Sequence, residues 1–182
     1  MNKPLRHTLT ATTALAMAAH GIAALAQSGH AAHVHGVVQA RVAVQGNKLG
    51  VQFEMPLDNL LGFEHRPRTD VQRQAAQAVL QRLKAPATWL KPDAAAECTL
   101  SSSQVDAQAL EPARPGAKEP GHADLDASYE FTCGAPAQLK TLDIALMESF
   151  IRIQRIDVQV AGAKTQSKQT LRRPAQRVRL AP

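Results

Sequence analysis

Residues 37–55 constrain the fold of this chain more than any other stretch. Val38, Ala40, Val42 and Val44 alternate with mostly polar neighbours, and Leu49, Val51, Phe53 and Met55 do the same. That is the two-residue period of half-buried strands. Gly46-Asn47 lies between the runs and has the chemistry of a two-residue hairpin turn. Facing Gln45 with Lys48 then pairs Val44 with Leu49, Val42 with Val51, Ala40 with Phe53 and Val38 with Met55. Every apolar side chain falls on one face, so pattern and turn specify the same register.

Pro56 stops the second strand, and Leu57 to Phe63 reads as a short turn or helical turn. A helix is predicted from Thr69 or Asp70, either of which can cap it, with Val71, Ala75, Ala78, Val79 and Leu83 as its apolar stripe. Its other face carries Gln72, Arg73, Gln77, Gln81 and Arg82, and Pro86 ends it. A weaker strand over 97–110 carries Cys98 inward, and Glu111 to Gly121, with three prolines and two glycines, is expected to be a mobile loop. Leu125, Ala127, Tyr129, Phe131 and Cys133 alternate with polar residues and mark a strand with Cys133 pointing inward. Further strands are predicted at about 141–147 and 153–160, with a polar edge strand near 165–171 pairing with the latter. Six to eight strands and one substantial helix make an α+β domain dominated by antiparallel sheet.

The N-terminus fixes the compartment. Lys3 and Arg6, the apolar Leu9 to Leu25 and the small-x-small Ala24-Leu25-Ala26 form a signal peptide over residues 1–26. Residues 27–182 remain, 182 − 26 = 156 in all, the size of one domain with a real core. No later segment reaches the ~18 apolar residues that span a bilayer, so the chain reads as a periplasmic protein that is not integral to the membrane. Subtracting Lys3 and Arg6 leaves 19 basic against 15 acidic residues, a mild +4, and export removes nucleic acid from the expected partners. Cys98 and Cys133 are the only cysteines, and an exported chain with two of them normally joins them.

Chemistry concentrates in the histidines. Gly29-His30-Ala31-Ala32-His33-Val34-His35-Gly36 opens the exported chain, and in an extended backbone His33 and His35 project to the same side. Two neutral imidazoles there can chelate one Zn²⁺; the bland alternative is a frayed terminus whose histidines only aid solubility. If the first strand extends back through Gly36, His35 shares the polar face with Gln39 and Arg41, and the hairpin register brings it near Asp58. Asp58 then ligates directly or holds the imidazole tautomer from behind. Glu64 and His65, in Gly62-Phe63-Glu64-His65-Arg66-Pro67-Arg68, are further candidate ligands; alternatively Phe63 plugs the core, His65 satisfies a backbone carbonyl and the arginines are solvated. His122-Ala123-Asp124 is an H-x-D at the lip of a strand, equally suited to capping the loop.

Taken together, His33-Val34-His35-Gly36, the run Pro56-Leu57-Asp58-Asn59-Leu60-Leu61-Gly62-Phe63-Glu64-His65, His122-Ala123-Asp124 before a strand ending in Cys133, and Ile156-Asp157-Val158-Gln159 resemble the ZrgA-type periplasmic zinc-uptake proteins over nearly the whole exported chain. The resemblance implies a periplasmic zinc-binding component associated with zinc uptake and serving an ABC-type transporter. Many members carry a long His/Asp-rich tract in the central loop, whereas Glu111 to Gly121 contains no histidine. One site, or at most two, is therefore expected, built from His33 and His35 with His65 or His122 completing it, His30 at the periphery and Glu64, Asp58 and Asp124 as carboxylate contributors. With only Met55 and Met147 after the signal and no free thiol expected, zinc is favoured over copper, although imidazoles also accept Cu²⁺ or Ni²⁺. The alternative class is an adaptor that docks on an envelope partner through residues 152–182, where eight cationic side chains face only Asp157, a balance of 8 − 1 = +7. An enzyme has the least support, for no nucleophile motif or acid/base carboxylate pair is present.

Overall fold

A computed structural model describes residues 34–110, 123–163 and 166–180. The expected signal peptide, the expected mobile loop at 111–121, His30, His33 and His122 lie outside the described residues. All the described residues fall within one compact unit.

The predicted hairpin is the centre of the fold. Strands β1 (Val37–Gln45) and β2 (Lys48–Pro56) pair antiparallel, with Val44 opposite Leu49, Val42 opposite Val51 and Ala40 opposite Phe53. Gly46 turns the chain at φ 59°, a region that costs a glycine little. The helical turn α1 (Leu57–Leu61) follows at once and ends at Gly62, whose φ of 80° is the left-handed C-cap conformation. Helix α2 (Asp70–Leu83) starts at Thr69, whose side chain accepts from Gln72 N while Gln72 Oε1 accepts from Thr69 N. This capping box contributes about 1 kcal/mol.

The helix buries a different stripe from the one expected. Ala76, Val79 and Leu83 are buried and Leu80 packs against them, whereas Ala75 and Ala78 are exposed and Val71 is 76% exposed. The 76-79-80-83 spacing gathers the helix's two leucines on one face with Val79, and Val71 in the first turn is left outside. Arg73, Gln77, Gln81 and Arg82 are exposed as expected, but Gln72 is half-buried because it closes the capping box. Two carbonyls of the last turn are capped by aromatic side chains: Trp89 Nε1 donates to Arg82 O at 3.0 Å and Tyr129 OH donates to Leu83 O at 2.8 Å. Phe53, Trp89 and Tyr129 also meet edge to face.

Strands β3 (Leu90–Pro92), β4 (Cys98–Asp106), β5 (Asp124–Cys133), β6 (Thr141–Ile144), β7 (Arg155–Gly162), β8 (Gln166–Leu171) and β9 (Arg177–Arg179) complete the sheets, with the short helix α3 (Leu146–Ser149) between β6 and β7. One sheet has the order β4-β5-β2-β1-β7-β8 and the other β3-β6-β9. All pairs are antiparallel except β1 with β7. The fold is thus α+β with mostly antiparallel sheet. Nine strands among the described residues exceed the expected six to eight because β3 and β9 are only three residues long and carry no periodicity. The strand expected to reach 147 ends at Ile144, where Leu146 and Met147 enter α3 instead and remain buried. Cys98 and Cys133 face each other across β4 and β5 and form the expected disulfide, Cys133 buried and Cys98 half-buried. Inward side chains of the large sheet, the α2 stripe and the β3-β6-β9 layer form one hydrophobic cluster. No helix among the described residues is long and apolar enough to cross a membrane.

Candidate metal centre

The site lies where β1 begins and α1 follows β2. His35 is not on a strand: Val34 to Val37 form a turn closed by Val37 N donating to Val34 O at 3.0 Å, and Gly36 has φ 80°. The extension of β1 back through Gly36 therefore fails, because glycine here leaves the extended region of backbone space. With it goes the strand argument that put His33 and His35 on one side.

The turn is held from two directions. Asn59, the only buried polar side chain among the described residues, accepts from Gly36 N at 2.5 Å through Oδ1 and donates to Val37 O at 2.8 Å through Nδ2. On the other side the Gly36 carbonyl accepts from Gln154 N at 2.8 Å and Arg155 N at 3.0 Å. A Cβ on Gly36 would also lie 3.0 Å from the Gln154 side chain. The first turn of α1 is fixed in turn by Leu57 N donating to Ala123 O at 2.9 Å. Asn59 stands in the run quoted from the sequence without a role there. Its only signal is a polar residue between Leu57 and the Leu60-Leu61 pair, at the level where the helical turn goes inward.

These constraints bring His35 between two carboxylates. Its Nε2 is 2.9 Å from Glu64 Oε1, and its Nδ1 is 3.9 Å from Asp58 Oδ2. The proximity to Asp58 agrees with the hairpin register, for Gln39 pairs with Glu54 and counting four residues outward along each strand reaches His35 and Asp58. The imidazole is exposed, whereas the two carboxylates retain only 23% and 21% exposure. Because the carboxylates face different ring nitrogens, one metal ion bound to the ring cannot take both carboxylates together. Among the described residues no three His, Cys, Asp or Glu side chains are gathered as a metal site.

The contact at Nε2 is a hydrogen bond, which a metal ion would have to widen. Tetrahedral Zn²⁺ with bonds near 2.0–2.2 Å separates a nitrogen and an oxygen ligand by about 3.3–3.5 Å, so the observed 2.9 Å gap needs to open by roughly 0.5 Å. As the ring stands Glu64 can only accept, so Nε2 carries a proton that a metal would displace, while Asp58 lies on the Nδ1 side at 3.9 Å, beyond a direct hydrogen bond.

The other sequence candidates separate. His65 Nδ1 is 2.8 Å from the carbonyl of Arg66. A carbonyl can only accept, so Nδ1 carries the proton and the lone pair of the neutral ring is on Nε2. The ring stacks on Phe63 with centroids 4.9 Å apart, and it has no hydrogen bond to His35. Phe63 is half-buried against His65 and is not part of the core cluster. Asp124 opens β5 opposite Pro56, beside the start of α1.

Three arginines of the basic C-terminal stripe are engaged within the fold. Arg155 pairs with Asp157 at 3.0 Å, Arg177 grips Asp143 through two hydrogen bonds of 2.7 and 2.8 Å, and Arg173 donates to the carbonyls of Met147, Phe150 and Ile151. The double hydrogen bond from Arg177 holds the Asp143 carboxyl below its ordinary value. Burial pushes Asp93 the other way, but hydrogen bonds from Thr141 and Lys140 outweigh it and leave that carboxyl lowered too. A search of curated proteins finds no match to the chain. The sequence model describing the ZrgA family zinc uptake proteins matches residues 32–180, most of the chain.

Proposed function

The chain belongs to the ZrgA family of zinc uptake proteins, and from that premise we propose that it is a periplasmic zinc carrier with one principal site built on His35 and Glu64. The observation that carries this reading is the 2.9 Å approach of His35 Nε2 to Glu64 Oε1, with Asp58 on the opposite ring nitrogen. His35 supplies the imidazole, Glu64 a carboxylate and Asp58 the orientation of the ring. His33, two residues before His35, and His122, one residue before the Ala123 carbonyl that anchors α1, are the imidazoles we assign to complete the coordination. His65, with its Nε2 lone pair, is the reserve ligand from the Glu64 segment, Asp124 a further carboxylate near α1, and His30 peripheral. A site on an exposed turn gives up its metal more readily than an enclosed one, which suits carriage rather than catalysis. The disulfide and the family are consistent with an extracytoplasmic protein. Periplasmic location after cleavage of residues 1–26, and service to an ABC-type transporter, are parts of this proposal.

The test is competitive zinc titration against a chromophoric chelator, with circular dichroism to confirm folding. His35→Ala and Glu64→Gln should each lose most of the affinity, and Asp58→Asn should lose about 10–100-fold. His30→Ala should change little. A folded His35→Ala variant with wild-type affinity would overturn the assignment. Titrations with Cu²⁺ and Ni²⁺ settle metal preference, since imidazole sites bind both strongly.

A further inference from the structure

Four large apolar side chains are exposed among the described residues, and two of them, Val34 at 56% and Ile151 at 81%, belong to segments that meet at the His35 turn. Hydrogen bonds from Gln154 N and Arg155 N to the Gly36 carbonyl draw the loop after α3 against that turn. In the same loop Arg152 is exposed and lies over Gly62, where a Cβ would come within 2.9 Å of its guanidinium. Gly62 is two residues from Glu64, so Val34 and the Ile151-Arg152 pair rim the candidate metal centre. Ile151 is not outside because its loop is loose. One Arg173 nitrogen donates to the carbonyls of Met147, Phe150 and Ile151 at 2.8, 3.3 and 3.2 Å, which fixes the loop with Ile151 turned to solvent. Scattered exposed apolar residues need no explanation, but one locked outward in a loop that meets the site does.

The charges around the site point the same way. Arg152 is joined at this end of the large sheet by Arg172, which is exposed and follows Leu171, the partner of Ile156. Cations beside a cation site weaken it by repulsion, so these arginines do not serve metal affinity. They do suit an acidic partner. Asp58 and Glu64 place two negative charges at the His35 turn, and they would repel such a partner until a divalent ion offsets them.

We infer that Val34, Ile151, Arg152 and Arg172 form a docking surface for an acidic protein that takes the metal, and that this partner prefers the zinc-loaded chain to the empty one. The inference rests on the zinc site proposed above. An anionic membrane is the poorer fit, because two aliphatic side chains give little insertion energy and a lipid headgroup gains nothing from the central carboxylates.

Zinc accumulation from depleted medium, in cells whose only copy of the protein is the full chain or its variant, tests this alongside chelator titration of each purified protein. Ile151→Asp should cut accumulation by about tenfold, as loss of a central interface contact does, while zinc affinity stays at the wild-type value. Arg152→Gln should reduce accumulation less, again without weakening zinc binding, and Ile151→Leu should restore it. Wild-type accumulation by Ile151→Asp would overturn the inference, as would a loss of zinc affinity in that variant. Ile151-dependent sedimentation with phosphatidylglycerol vesicles would also overturn it, by making the rim a membrane surface. Wild-type accumulation by His35→Ala would instead remove the zinc site itself, so the two failures are distinguishable.

Discussion

Replacing Asn59 by alanine should damage the metal centre from inside the protein. Asn59 is 1% exposed and makes two hydrogen bonds, accepting from Gly36 N at 2.5 Å and donating to Val37 O at 2.8 Å. Alanine leaves both backbone groups in place but without these partners, and each buried group so orphaned costs about 1–3 kcal/mol. Some water entry at the turn reduces the sum, so a loss of about 2–4 kcal/mol is expected. For a domain of this size that corresponds to a fall in Tm of roughly 4–16 °C. The expected loss is a large share of the roughly 5–15 kcal/mol by which a domain is ordinarily stable, so zinc affinity should be measured well below the new midpoint. There it should still fall by about 10–100-fold, the usual effect of losing a group that orients a metal ligand. Asn59→Asp is the sharper control: it keeps an acceptor for Gly36 N, sets a second acceptor against Val37 O and buries a charge, so it should be at least as destabilising as alanine. Thermal unfolding followed by circular dichroism, with chelator titration at low temperature, reads both effects. An Asn59→Ala protein with wild-type Tm and zinc affinity would refute the claim that this side chain holds the His35 turn.

Reduction of the Cys98–Cys133 bridge, which closes a loop of 35 residues, should lower stability by roughly 3–4 kcal/mol and leave zinc affinity nearly intact; thermal melts with and without reductant check this, and loss of binding in the folded reduced protein would contradict it. Asp93 and Asp143 have lowered folded pKa values, so their stabilisation is complete above the unfolded carboxylate value of about 3.9 and is lost as pH falls through the folded values. Asp93→Asn should therefore be less stable than wild type at neutral pH, with the gap narrowing below about pH 4 in acid unfolding curves; a gap that widens on acidification would refute the sign. Arg173→Gln should destabilise by about 1–3 kcal/mol because three carbonyls lose a charged donor, whereas Arg179→Gln should leave zinc titration unchanged.

The parts of this fold legible in the sequence are those in which neighbouring residues carry the information. The Val38–Met55 hairpin, β5 and β7 each show an apolar alternation long enough to fix their faces, β8 reads as the polar edge strand beside β7, and the expectation of export paired Cys98 with Cys133. Register extrapolation even placed His35 near Asp58, although the path is a turn at Gly36 and not the imagined strand. What escaped depends on distant partners. Three-residue strands such as Leu90–Pro92 and Arg177–Arg179 exist only because they flank β6, and the parallel pairing of β1 with β7 has no local signature. The phase of α2 was misjudged because alanines at 75, 76 and 78 leave several stripes nearly equal, and contact with the core decides among them. At the site, the approach of Glu64 to His35 spans 29 residues, and Asn59 looked like any polar residue of a short turn. Arg173 and Arg177 read as part of a charge run because their carbonyl and carboxylate partners lie 22 to 34 residues away.

The central claim is that zinc is held at His35 Nε2 with the Glu64 carboxylate. A crystal of residues 27–182 grown with one equivalent of zinc, with diffraction recorded on either side of the zinc absorption edge, tests it directly. The account predicts one strong anomalous peak about 2.0–2.2 Å from both His35 Nε2 and a Glu64 oxygen, with Asp58 on the Nδ1 side of the ring and further imidazoles completing the shell. A fully occupied peak coordinated elsewhere, with His35 still bonded to Glu64 and no metal between them, would contradict it.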